Sequence, residues 1–378
     1  MLEYEMAKRR YYAIDHLRTG MMFVVMFGHP LLPYLTVPRS FKDPSTHVGF
    51  DVMAVFLYAF AMQAFFVTAG FAAALLLERK GSTGLWRNRF SRIFVPLLVA
   101  YLLITPLMRG AYDFAKGVVA SGSVSAGWSV FLAGEWIRWS KLYHLWFLLS
   151  LLLFTGLAVA GLSLLRRSGV AASLSAVLAK RFDGYGGMLA IAVLAALTTI
   201  PAYIFDTGSG THWSMQITLF GYFVLGWFLY GQQGVLESWQ TRWRLPLIAA
   251  LCVLPICAWA SRARLFDETS IDVATGVLAG ISNGMLGVGM TVALIGWFTL
   301  HLDKPTNAGR VLGQASYWVY LVHFPVVVAA GGLLVVADLP AILKYLLTLA
   351  IAIPVIAVSY YGLVLRTPLR HAIVGKAQ

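Results

Sequence analysis

Apolar runs near 20 residues recur from one end of this chain to the other, and they constrain its fold more than any other feature. An α-helix of that length rises about 30 Å, the thickness of the hydrocarbon core of a bilayer. Hydrophobic residues make up 59% of the chain and charged residues 12%, about half the charged fraction of a soluble domain. The sequence therefore predicts an all-α, polytopic membrane protein.

About ten membrane-spanning helices are predicted, within a single integral membrane domain over residues 1–378 and without an internal repeat. The first apolar run is too long for a signal peptide and lacks a small-x-small cleavage site, so it is interpreted as an uncleaved span. The predicted spans cover about residues 12–35, 51–77, 92–109, 143–165, 187–205, 214–231, 246–261, 272–300, 313–336 and 341–365. The longest predicted polar connections are 36–50, 78–91, 110–142 and 166–186.

Charge predicts the orientation of these spans. With the N-terminus inside, the inner segments hold 20 of the 29 Lys and Arg residues, which places both termini in the cytoplasm. The net charge of +13 is therefore interpreted as topological, and no nucleic-acid partner is expected. Cys252 and Cys257 lie five residues apart in an apolar run and face different ways, so neither a disulfide nor a metal site is expected.

The first span contains two polar residues within the stretch LRTGMMFVVMFGH. Arg18 and His29 are eleven residues apart, close to three full turns, so they share one helix face about 16 Å apart along the axis. Polar groups on one face of a span favour a protein-lined conduit. Alternatively, Arg18 extends to the inner headgroups and His29 binds a backbone carbonyl. Asp15 either pairs with Arg18 or faces the cytoplasmic mouth, where it would contact substrate.

Two arginines begin the third span in the stretch LWRNRFSRIFVPLL. Arg89 and Arg92 are three residues apart and would share a face of an α-helix. Two guanidinium groups at a cytoplasmic helix end can hold phosphates in a bidentate manner. Basic residues also flank most cytoplasmic helix ends, and that interpretation remains open.

Further polar residues occupy later spans. HLWFL places His144 and Trp146 at the outer end of the fourth span, and YLVHFP places Tyr320 and His323 on one face of the ninth. An isolated membrane histidine usually bonds a carbonyl, but His29, His144 and His323 at compatible depths predict one polar chamber. Trp146 would contact substrate, or anchor the span at the interface.

Small residues predict close helix packing in two places. Gln63, Thr68 and Gly70 form a small polar patch in the second span, where another helix can approach. Glycines spaced four residues apart predict helix packing in the eighth span; they are Gly276, Gly280 and Gly284.

Together these stretches resemble the acyltransferase-3 family of integral membrane acyltransferases, over most of the chain. Arg18-x10-His29 is similar to the family's first-span pair, and Arg89-x-x-Arg92 to its third-span arginine motif. FFVTAGF resembles the second-span pattern, although Ala69 stands where the family usually has Ser and only Thr68 beside it supplies a hydroxyl. HLWFL and YLVHFP resemble later spans. Within the family, the resemblance is nearest to the branch that succinylates osmoregulated periplasmic glucans.

The resemblance implies an O-acyltransferase of the bacterial inner membrane. Its donor would be cytoplasmic acyl-CoA, with succinyl among the acyl groups that the family transfers. Its acceptor would be a hydroxyl of a periplasmic glycan, and no metal is implied. Arg18, Arg89 and Arg92 would bind the coenzyme A phosphates. His29 would act as general base.

The implied transfer is direct, because the sequence shows no activated Ser or Cys nucleophile. A donor among His323, Tyr320 and His144 would stabilise the oxyanion. Two other functions fit the polar residues. One is a transporter or flippase of an anionic or lipid-linked solute, although such proteins often contain internal repeats. The other is a sensor or scaffold without turnover.

Overall fold

The computed structural model describes residues 10–38, 41–139, 141–206, 208–266 and 272–367. Within these ranges the chain is mostly helical and contains no β-strand, which confirms the predicted all-α class. Both termini, residues 1–9 and 368–378, lie outside the described residues, and their cytoplasmic placement stays a prediction.

Short irregular turns join or extend the α-helices. 3₁₀ turns form at His29–Tyr34 and Tyr143–Leu145, and π-helical turns at Phe90–Phe94 and Tyr360–Leu365. The helices of the described residues are α1 (Tyr12–Gly28), α2 (Val48–Arg89), α3 (Val95–Ser121), α4 (Val124–Leu132), α5 (Trp146–Arg167), α6 (Ala171–Phe182), α7 (Gly184–Ile204), α8 (Trp213–Tyr230), α9 (Gln233–Arg242), α10 (Arg244–Phe266), α11 (Val273–His301), α12 (Asn307–Leu334) and α13 (Ala341–Ser359).

Seven helical segments of the described residues are long and apolar enough to cross a membrane, which supports a multi-pass membrane protein. The longest, Val48–Ser121, contains both the second and the third predicted span. The helices at the first and sixth predicted spans, α1 with 17 residues and α8 with 18, are not among the seven. The count of ten spans therefore stays a prediction.

Two predicted polar connections are largely helical. Residues 78–89 continue α2, whose helical backbone is interrupted only at Gly81 (φ 65°, ψ −178°). Gly tolerates this left-handed φ because it has no Cβ. Helix α3 runs past the predicted end at residue 109 to Ser121, and an Arg109–Asp113 ion pair of 3.5 Å lies on it at the i,i+4 spacing that supports a helix.

The described chain forms two compact units, and the divisions between them fall mostly within helices. The first unit takes Met1–Met21, Val55–Arg89 and Ser150–Arg310; the second takes Met22–Ala54, Phe90–Leu149 and Val311–Gln378.

Helix α11 is the most buried span of the first unit, with 78% of its most apolar stretch buried. Its glycines Gly276, Gly280 and Gly284 face α7, and a Cβ added at Gly284 would lie 2.6 Å from the Cα of Ala196. The predicted packing role of this stripe is confirmed. Small residues allow two backbones to approach closely where lipid provides no hydrophobic driving force.

Helices α2 and α8 of the first unit also cross closely. A Cβ added at Gly70 would collide with the carbonyl oxygen of Phe223, and one added at Gly226 would collide with that of Val67. The reciprocal arrangement confirms that another helix approaches the second-span patch.

A buried ion pair holds the second unit together. Lys344 Nζ on α13 lies 2.9 Å from both carboxylate oxygens of Asp43 and donates to the Val335 carbonyl at 3.2 Å. Asp43 Oδ1 also accepts from the Ser45 amide at 2.7 Å. The two charged side chains are 2% and 1% exposed. The pair fastens the segment that follows the first predicted span to the last one.

Candidate active site

One face of α12 carries the central residues of the site in the second unit. Tyr317, Tyr320, His323 and Phe324 follow one another at helical spacing, and their rings make successive contacts. His323 is 1% exposed. A polar side chain at that burial needs hydrogen-bond partners.

The His323 ring has partners on both nitrogens. Its Nδ1 lies 2.9 Å from the carbonyl oxygens of Val319 and Tyr320, and its Nε2 lies 3.0 Å from Nδ1 of His29. The His29 ring also packs on Phe324, with centroids 4.1 Å apart. Two histidines 294 positions apart in sequence are thereby brought into direct contact.

His29 begins a 3₁₀ turn because of the prolines that follow it. Pro30 and Pro33 have no amide hydrogen, so neither can donate to the carbonyl four residues earlier, and the α-helix ends at Gly28. The turn places His29 at the end of α1.

His144 lies in the 3₁₀ turn before α5. Its Nε2 donates to the Leu321 carbonyl at 3.2 Å, and the Tyr320 hydroxyl donates to the carbonyl of His144 at 2.8 Å. Its ring centroid lies 5.4 Å from that of His323. Tyr143, directly before it, has φ of 46°, a left-handed value that is strained for a residue with a Cβ.

The three imidazoles therefore form one cluster, and the polar chamber predicted around them stays a prediction. His323 contacts both of the others, with ring centroids 5.0 Å from that of His29 and 5.4 Å from that of His144. His29 and His323 are joined through their ring nitrogens, whereas His144 donates from Nε2 to a backbone carbonyl and its buried Nδ1 makes no hydrogen bond to the described part of the chain. No group of three metal-binding side chains occurs in the described ranges. His323, Tyr320 and His144 are predicted to stabilise an oxyanion through an N–H or O–H group. In the structure these groups donate to backbone carbonyls, so the role stays a prediction.

An arginine lies near the other end of the α12 face. Arg92 interacts electrostatically with Tyr317, whose ring stacks on Tyr320 at 6.4 Å. The Tyr317 hydroxyl is buried and makes no hydrogen bond to the described part of the chain. Arg92 itself lies in the π-helical turn Phe90–Phe94. The prediction that Arg89 and Arg92 share a face assumed α-helical spacing, which does not apply in this turn.

The remaining predicted arginines lie in the first unit. Arg18 and Arg89 are close enough to repel each other electrostatically. Arg18 pairs with Asp15 at 3.3 Å, and Asp15 also accepts from Arg10 at 3.4 Å. The local pairing of Asp15 with Arg18 is confirmed. Because Arg18 and His29 belong to different units, the conduit between them stays a prediction.

Two residues predicted to contact substrate interact with neighbouring residues of the chain. Thr68, in the first unit, is fully buried and its hydroxyl donates to the Phe65 carbonyl at 2.8 Å. Trp146, in the second unit, is half-buried and contacts Phe147 at 6.4 Å between centroids. Their roles toward substrate stay predictions.

The sequence reasoning missed three features of the second unit. They are the Asp43–Lys344 pair, the Arg109–Asp113 pair and the strained Tyr143. A signal existed for Lys344, which is a lone cation at the start of an apolar run, where an ionisable residue needs a partner. Nothing local indicates Asp43 as that partner.

Comparison with known proteins identifies the family. A family pattern described as "Acyltransferase domain" matches residues 11–361. Glucans biosynthesis protein C of Escherichia coli strain K12 is 28% identical over 151 residues, 40% of this chain and 38% of that protein. The protein of the same name from Escherichia coli O1:K1 / APEC matches over the same extent. The match therefore spans well under half the length of these relatives.

No solved structure matches the chain. The family pattern takes in Arg18, Arg89 and Arg92 together with all three histidines of the cluster. This chain belongs to the acyltransferase-3 family.

Proposed function

We propose that this protein is a membrane O-acyltransferase that moves an acyl group, such as succinyl, from cytoplasmic acyl-CoA to a hydroxyl of a periplasmic glycan. The observation that supports it best is the partly buried His29–His323 contact in a chain that belongs to an acyltransferase family. The relatives named for glucans biosynthesis support a glucan as the acceptor, and we propose that this is the osmoregulated periplasmic glucan. The protein acts in the bacterial inner membrane.

His29 is the general base of the proposed transfer. Its imidazole takes the proton of the acceptor hydroxyl while that oxygen attacks the thioester carbonyl. The C–S bond then breaks, and the departing thiolate receives the proton from His29. One ester and one free thiol result, without an acyl-enzyme.

The arginines hold the donor. Arg18 and Arg89 are two cations close to each other, and the half-buried Asp15 is the carboxylate that pairs with Arg18. A coenzyme A phosphate relieves such like-charge repulsion and accepts charge-assisted hydrogen bonds. Arg92 interacts electrostatically with Tyr317 in the second unit, and its role toward the donor is proposed from the arginine motif alone.

The acceptor contacts are proposed from residue type. Trp146, two residues after His144 in sequence, presents a half-buried ring that suits the apolar face of a sugar. Thr68 and Asp15 complete the set proposed to contact substrate.

The test uses the purified protein in lipid nanodiscs with labelled succinyl-CoA, acetyl-CoA and periplasmic glucan. Mass spectrometry detects the glucan ester, and a thiol reagent detects free coenzyme A. We expect His29→Ala to lower kcat by about 10²- to 10⁴-fold, the contribution of a positioned general base. His301→Ala, at an exposed histidine outside the cluster, is the matched control.

Two results would contradict the proposal. Wild-type turnover by His29→Ala would reject the base. Solute flux in sealed vesicles without ester formation or thiol release would favour the transporter alternative.

A further inference from the structure

We propose that His323 is a positioning residue that fixes the ring orientation and the tautomer of His29, so that the basic lone pair of His29 is on Nε2. This inference rests on the proposed role of His29 as general base. It assigns His323 a function that differs from oxyanion stabilisation.

The tautomer of His323 follows from its carbonyl partners. Its Nδ1 lies 2.9 Å from two carbonyl oxygens, of Val319 and Tyr320, and a carbonyl can only accept. Nδ1 must therefore carry the hydrogen. In a neutral imidazole the other nitrogen is then an acceptor, so His323 Nε2 accepts a hydrogen bond.

The tautomer of His29 follows in turn. Its Nδ1 is the atom 3.0 Å from His323 Nε2, so it donates, and a neutral His29 keeps its lone pair on Nε2. The carbonyl of Val25 is a further acceptor for the His29 ring, in the same four-residue relation that joins His323 to Val319. Phe324, 4.1 Å away between centroids, packs on the ring and limits its rotation.

The hydrogen bond to His323 also stabilises His29 when it is protonated during the transfer. When Nε2 takes the acceptor proton, Nδ1–H still donates to His323 Nε2, and a hydrogen bond from a cation is stronger than one from a neutral ring. The proton on Nε2 then passes to the thiolate. His323 gains and loses no proton in this step, and it touches neither substrate.

His144 supports the same geometry from the other side of His323. Its Nε2 donates to the carbonyl of Leu321, and its own carbonyl accepts from the Tyr320 hydroxyl. These two bonds join the turn before α5 to the segment of α12 that carries His323.

The experiment compares His323→Asn with His323→Gln in nanodiscs. Asn places its amide near the position of Nδ1 and keeps the contact with the backbone carbonyls, but it is too short to accept from His29. Gln places an oxygen near the position of Nε2 and can accept. We expect His323→Asn to lower kcat about 100-fold, with the KM for acyl-CoA within about twofold of wild type. His323→Gln should recover most of the lost kcat.

The outcomes separate this inference from the proposed function. Full activity of His29→Ala overturns both. An inactive His29→Ala together with wild-type kcat in His323→Asn overturns the positioning role alone, and so does equal impairment of the Asn and Gln variants. Where an Asn variant fails to fold, ¹⁵N NMR of histidine-labelled wild-type protein decides: a hydrogen on His29 Nδ1 supports the proposal, and one on Nε2 overturns it.

Discussion

Replacing Lys344 with Met leaves the Asp43 carboxylate buried without its cation. At 2.9 Å and an effective dielectric constant of about 20, the attraction between the two charges is about 6 kcal/mol. Desolvation offsets much of this attraction in the intact pair, but a single substitution exposes the full penalty of the remaining charge. We therefore expect Lys344→Met to lower the free energy of unfolding by about 3–5 kcal/mol.

The double variant Asp43→Asn with Lys344→Met separates two effects: the loss of the ion pair and the burial of an unpaired carboxylate. It removes both charges, and the Asn oxygen still accepts from the Ser45 amide. We expect it to recover most of the stability lost in the single variant, because replacing a buried ion pair by uncharged groups is often nearly neutral.

The assay is unfolding by SDS in mixed detergent micelles, followed by tryptophan fluorescence. Arg138→Met is the matched control, because its ion pair with Glu135 is exposed, at 61% and 72% for the two side chains, and should contribute little. A loss below about 1 kcal/mol in Lys344→Met, as for an exposed pair, would refute the reasoning. A double variant no more stable than the single one would also refute it.

Three further predictions concern packing and the donor. Gly226→Ala should destabilise the protein by about 1–3 kcal/mol, because its Cβ collides with a backbone carbonyl, whereas Gly221→Ala on the same helix, where the Cβ meets open space, should not; equal SDS unfolding of the two variants would contradict this. Tyr317→Phe should raise the KM for acyl-CoA about tenfold without changing kcat, since the buried Tyr317 hydroxyl makes no hydrogen bond to the described chain and is free to bond the donor; steady-state kinetics with acyl-CoA check this, and an unchanged KM rejects it. Arg18→Gln and Arg89→Gln should each weaken coenzyme A binding about tenfold at low salt, measured by thermal shift; wild-type affinity would dismiss their phosphate role.

The class of this protein and the members of its histidine cluster could be predicted from sequence. Length and apolarity of helical runs are local properties, and they indicate a multi-pass membrane protein without any tertiary contact. His29, His144 and His323 stood out because a histidine inside a span needs a partner. The glycine stripe on α11 could be predicted for a different reason: glycines at i,i+4 spacing lie on a common helix face, where another helix can pack.

Span boundaries were less predictable than span existence. Residues 78–89 and 110–121 are polar enough to suggest connections, yet they are helical, because a helix can leave the bilayer without ending. The π-helical turn at Phe90–Phe94 has no clear local signal, and it changes which residues near Arg89 and Arg92 share a face.

The sequence by itself determined that the chain is helical, spans a membrane and carries a conspicuous set of intramembrane histidines and arginines. Only the tertiary structure decided that His323 contacts His29 across 294 positions and that Lys344 pairs with Asp43 across 301. The physical reason is that helical periodicity fixes which side chains share a face of one helix. Which face meets which neighbour is decided by the packing of the whole helical bundle.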